Sequence, residues 1–137
     1  MRPHCRERGA AAVEFALILP ILLLLIGGIV DFGRAMFTQV IVTNSAREGA
    51  RAAVVGVNSA GLQARAKAAA GPYSTSAGLV VSPIETCPSA PGPTDNASVT
   101  VTMSFDWILL GPALAVVGSS SVLPDELSAS AAMHCGG

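Results

Sequence analysis

The chain has 137 residues, which leaves room for one small domain beside whatever its N-terminus does. Hydrophobic residues make up 51%, aromatics only 4% and charged residues 12%, so the apolar content is mostly Ala, Val and Leu, which argues against a large aromatic-lined core. The formal net charge is -1 and no run of Lys and Arg follows the first eight residues, so the chain lacks the basic footprint of a nucleic-acid-binding protein.

The N-terminus opens with "MRPHCRER", in which Arg2, Arg6 and Arg8 stand against Glu7. An apolar run follows. Residues 15–30 are 16 uncharged residues, and residues 10–30 are 21 with Glu14 as their one ionisable member. A helix rises about 1.5 Å per residue, so such a run reaches roughly 30 Å, the thickness of a bilayer's hydrocarbon core. The basic flank before the run predicts a cytoplasmic N-terminus and an extracytoplasmic remainder from about Asp31 onward. A cleaved secretory signal is the competing reading, with "FGRA" ending at Ala35 as a poor cleavage site. Glu14 speaks against it, because an export segment gains nothing from an embedded carboxylate; its bland reading is a tolerated charge at the edge of the span, where it can snorkel, and its functional reading follows from the rule that ionisable residues within membrane segments serve functions by default.

Upstream of that carboxylate the residues read G-x-x-x-x-E-F, with Gly9, Ala10, Glu14 and Phe15 at the junction of a short basic leader and an apolar helix. This looks like the prepilin-peptidase site of type IV pilin-like proteins. Farther on come Ala16 and Pro20, then Asp31 with Phe32, Gly33 and Arg34, then "AREGAR" with Arg47, Glu48 and Arg51. In this order, residues 11–56 closely resemble the TadE-like family of tight-adherence (Flp-type) pilus assembly proteins. The resemblance implies a minor pilin-like, non-catalytic inner-membrane component that aids pilus assembly and cell adhesion. Its implied partners are the membrane, a prepilin peptidase, and other pilin-like subunits with their assembly machinery. Cutting after Gly9 would leave Ala10 as the new N-terminus and put its amine one helical turn from Glu14, or beside the Glu14 of a neighbouring helix. An uncleaved single-pass extracytoplasmic module and a freely secreted small domain are the alternative readings.

The residues carry physical expectations of their own. Pro20 removes a backbone hydrogen bond, which predicts a kink or local irregularity. Gly27 and Gly28 admit the close approach of another helix. Beyond Asp31 the pattern stays helical to about Val55, predicting one long helix that leaves the membrane as a stalk. Within it Glu48 and Arg51 are i,i+3 partners and Arg47 and Arg51 are i,i+4 neighbours. Their bland reading is a solvated face beside a packing stripe of Ala46, Gly49, Ala50 and Ala53. The sharper reading has the globular part lying close on that stripe while the arginines meet acidic partners.

A break at residues 56–59 precedes a second helix, capped by Asn58 or Ser59 and stopped by Gly71 and Pro72. Past it the texture turns to β. A weak strand is expected over residues 79–86, a loop over 88–96, and a strong strand where Val99, Val101, Met103 and Phe105 alternate with polar residues. A third strand over residues 127–134 places Leu127, Ala129, Ala131, Met133 and Cys135 on one side. Residues 107–117, "WILLGPALAVV", are too few to span a bilayer and are interrupted by Gly111 and Pro112. They read as an inter-strand connection folded onto the core, or as an exposed apolar patch docking on a membrane or a neighbouring subunit with Trp107 as anchor.

The expected class is therefore α+β: a leader over residues 1–9, a transmembrane helix over 10–33, a helical stalk and second helix over 34–71, and a three- to four-stranded antiparallel head over 72–137. Cys5 falls in the leader, which leaves Cys87 and Cys135 as a disulfide pair on the oxidising side. His134 and Cys135 lack the further ligands a zinc site needs, and no metal or other cofactor is expected. No nucleophile elbow, zinc-protease, P-loop or dinucleotide motif occurs, so neither an enzyme nor a small-molecule substrate is expected.

Overall fold

The computed structural model of the chain describes residues 5–116, 118, 119 and 122–136. The first four residues, including Arg2, lie outside the described residues. The elements in order are α1 (Cys5–Val54), α2 (Ser59–Ala69), β1 (Leu79–Glu85), β2 (Asn96–Ser104), α3 (Leu110–Val116) and β3 (Glu126–His134). The class is α+β, with three strands in the order β1-β2-β3 and both pairings antiparallel.

The chain forms two compact units, Met1–Gly33 with Trp107–Leu123 and Arg34–Asp106 with Pro124–Gly137. The first holds the apolar part of α1, which is one helix of 50 residues and continues through Pro20. Pro20 has no N–H, so the carbonyl of Ala16 loses its helical donor, but the helix is not interrupted there. The side chains of this part are apolar all round and exposed: Leu17, Ile21, Leu23 and Ile29 are each more than half accessible. A helix of that kind is stable only with apolar surroundings on every side. The stretch reaches a mean hydropathy of 2.7 and is long and apolar enough to cross a membrane.

The second unit is a small head built on the rest of α1. Val42, Ala46, Ala50 and Ala53 point into its core and meet Leu62 and Ala66 of α2, Leu79 and Val81 of β1, and Ala97, Val99, Val101 and Met103 of β2. The small residues on α1 set how closely the sheet approaches. A Cβ on Gly49 would sit 3.0 Å from Val99 Cγ1 and 3.3 Å from the Cβ of Ala66. The packing stripe expected from sequence is thus the seat of the sheet.

Local chemistry fixes the other elements. The Asn58 side chain accepts from Gly61 N at 2.8 Å and starts α2, while Gly71, at φ +59, carries the chain out of it in a conformation that only glycine adopts without strain. On β2 residues 97, 99, 101 and 103 are buried and their alternates are not. Its register places Val81 and Ala129 on either side of Val101. β3 presents a half-buried face through Leu127, Ala129, Ala131 and Met133. A disulfide joins Cys87 and Cys135 across 48 residues, tying the loop after β1 to the end of β3.

Candidate functional site: the apolar helix and its exit

Gly9 and Ala10 lie within α1, and a Cβ built on Gly9 meets nothing within 4 Å. Glu14 and Phe15 are exposed on the same helix. Among the described residues no group of the chain is bonded to the Glu14 carboxylate.

Asp31 is the opposite case. It is fully buried, and its carboxylate accepts from three successive backbone amides: Ile108 N at 3.3 Å, Leu109 N at 2.9 Å and Leu110 N at 2.9 Å. These are donors at the start of α3 that no helical carbonyl can satisfy, and an anion there also meets the positive end of the helix dipole. Asp31 therefore caps a helix from far away in sequence. Beside it Phe32 and Trp107 stack edge to face with ring centroids 5.7 Å apart. One turn back along α1, a Cβ on Gly27 would fall 2.9 Å from Leu109 Cδ1, and one on Gly28 would be 3.8 Å from Leu110 Cδ2. The close approach expected at these glycines is made by the chain's own α3 segment.

Arg34 belongs to the head. Its Nη1 donates to the Asp106 carbonyl at 3.2 Å, and its guanidinium lies 5.1 Å from the centroid of Phe105. The neighbouring Gln39 donates from Nε2 to the Ser128 carbonyl at 2.9 Å, so the first head turns of α1 hold both the end of β2 and the start of β3. Farther along, Arg47 and Arg51 are exposed and Glu48 is half-buried. With Asn44, Arg65 and Met133 they border an open hollow of about 690 Å³. The described His, Cys, Asp and Glu residues form no cluster that could hold a metal ion.

What these parts define is a small disulfide-bonded α+β head together with one N-terminal helix long and apolar enough to cross a membrane. The family model described as TadE-like protein matches residues 9–51, which is nearly all of α1 and about a third of the chain. No match was found among the curated proteins or the solved structures. The matched segment contains Gly9, Glu14, Pro20, Asp31, Arg34, Arg47, Glu48 and Arg51. It contains neither the disulfide nor the α3 segment that Asp31 caps.

Proposed function

We propose that the chain is a minor pilin-like subunit that aids assembly of a tight-adherence (Flp-type) pilus without catalysing a reaction. Its α1 is embedded in the inner membrane with the N-terminus cytoplasmic and the head extracytoplasmic, and a prepilin peptidase cuts after Gly9. The observation that carries this reading is Glu14: a carboxylate on the exposed side of an apolar helix, five residues past Gly9, with no partner in the described chain. In low dielectric the charged form of such a group is stabilised by a cation, and the amine released at Ala10 of a neighbouring subunit supplies one. Arg47, Glu48 and Arg51 then border the surface offered to other pilin-like subunits.

Gly9→Leu tests processing. The leader should stay attached while the protein still reaches the membrane, and because a side chain at Gly9 has open space around it, folding is not at issue. A mature mass lower than that of the full chain in this variant would remove the peptidase from the reading. Glu14→Gln tests pairing: the leader should still be removed, but crosslinks to pilin-like partners should be lost. The uncleaved single-pass anchor is the second reading. The N-terminal sequence of the mature protein decides between the two.

A further inference from the structure

We infer that residues 107–116 form a second membrane-contacting element, the short helix α3 and the residues leading into it, which lie in the lipid beside the C-terminal end of the α1 span. The inference rests on the reading that α1 crosses a bilayer. Crossing takes about 20 apolar residues, and residues 10–30 supply 21, so the span uses the run to its last turn. Gly27 lies in that last turn. Leu109 sits directly on Gly27, and Leu110 on Gly28, so both leucines share the depth of the helix they touch. Whatever surrounds α1 at this level surrounds the start of α3 as well.

Composition agrees. From Trp107 to Pro124 no residue carries a charge, and Ile108, Leu109 and Val116 are 57%, 50% and 89% exposed. The backbone agrees too, since lipid offers no hydrogen bonds and a segment within it must pair its own polar groups. At the start of α3 three amides go to the Asp31 carboxylate, and Pro112 has no amide to satisfy. At its end Gly118, at φ +74, turns the chain so that Gly118 N meets the Ala115 carbonyl at 3.1 Å and Ser119 N meets that of Leu114 at 2.9 Å. Trp107 and Phe32, beside Asp31, form the kind of aromatic pair that collects at the boundary between hydrocarbon and water.

The sheet does not require the segment. Ser104 already pairs with Glu126 and Phe105 N donates to the Asp125 carbonyl at 2.8 Å, so β2 and β3 form a closed hairpin from whose end this uncharged excursion departs. An apolar insertion that adds nothing to the ladder and lies along a membrane helix fits a bilayer as its occupant.

The test uses the full chain with Cys5→Ser, reconstituted in phosphatidylethanolamine and phosphatidylglycerol vesicles, with single nitroxide labels at Leu22→Cys, Val116→Cys and Ala132→Cys. Collision with oxygen, which concentrates in lipid, is compared with collision with a water-soluble nickel chelate. Labels at positions 22 and 116 should favour oxygen severalfold, and the label at 132 should favour nickel. In the unlabelled protein Trp107, the one tryptophan, should be quenched more by lipids brominated near the glycerol than by aqueous iodide. Oxygen preference at 22 with nickel preference at 116 would leave the span intact and overturn the inference. Shielding of 116 from both reagents would also overturn it, by showing a protein surface over α3. Nickel preference at 22 would overturn the span reading and this inference with it.

Discussion

Replacing Asp31 by alanine removes the acceptor for three backbone amides at once. Hydrogen bonds to a charged group contribute about 1.5–3 kcal/mol each, but the three share one carboxylate and are not additive. Loss of an ordinary N-terminal cap costs about 0.5–2 kcal/mol, and here the vacated site is buried, which raises the figure. About 3 kcal/mol for the docking of α3 lies between these bounds and corresponds to roughly a hundredfold rise in local opening. Hydrogen exchange of the Ile108, Leu109 and Leu110 amides, followed by mass spectrometry on the detergent-solubilised chain, measures that opening directly. The amides of Val99 and Val101 on β2 should keep their rates, because the hairpin is closed at Phe105 and Asp125 without α3. Asp31→Asn keeps one acceptor oxygen but turns an amide donor toward the remaining N–H groups, so its exchange should fall between wild type and alanine. If Asp31→Ala left the three amides exchanging within threefold of wild type, the carboxylate would not be what holds α3.

Three further expectations concern the head. Cys135→Ser should lower its stability by about 4 kcal/mol, the chain-entropy value for a closed loop of 48 residues, read as a loss of denaturant midpoint relative to the oxidised protein. Gly49→Leu should destabilise it by about 2–3 kcal/mol or more, because the first added atom already crowds Val99 and Ala66; thermal unfolding followed by circular dichroism reads the shift. Ser45→Ala should be neutral or stabilising by about 1 kcal/mol, since the hydroxyl is fully buried with no hydrogen-bond partner among the described residues and alanine is the better helix former. A clear loss of stability in that variant would mean the hydroxyl is satisfied after all.

How much of this is legible in the sequence depends on how far apart the interacting residues lie. Asn58 caps α2 through an amide three residues away, and β2 declares itself by the alternation of Val99, Val101 and Met103; both are local patterns and both are readable. The disulfide is reached by elimination, since the leader takes one of three cysteines. The helix α3 is not reached at all. Its seven residues begin with Leu110, Gly111 and Pro112, which read as a break, and no capping residue stands in front of them. The cap is Asp31, 77–79 positions upstream of the amides it binds. Gly27 and Gly28 signal a close helical neighbour, but spacing alone does not reveal that the neighbour is the same chain. Residues 107–117 thus look like either a connection or a loose patch, and the fold supplies what was missing: a glycine seat and a remote carboxylate.

The two carboxylates of the apolar helix separate what this chain does for itself from what it requires of others. Asp31 stands at the end of the run and is enclosed by its own chain, which spends it on the start of α3. Glu14 stands inside the run, 17 residues earlier, exposed on a surface whose other residues are apolar. A carboxylate left there without a partner would oppose insertion, by up to a few kcal/mol at the centre of a span and by less toward its edge, and glutamine in its place would fill nearly the same volume at a lower cost. The match to the TadE-like model embraces both positions, yet only one of them is explained by the folded chain. On the function proposed above, a cation from outside the chain accounts for the acid at position 14, and the Glu14→Gln crosslinking result is what separates an assembling subunit from a solitary anchor.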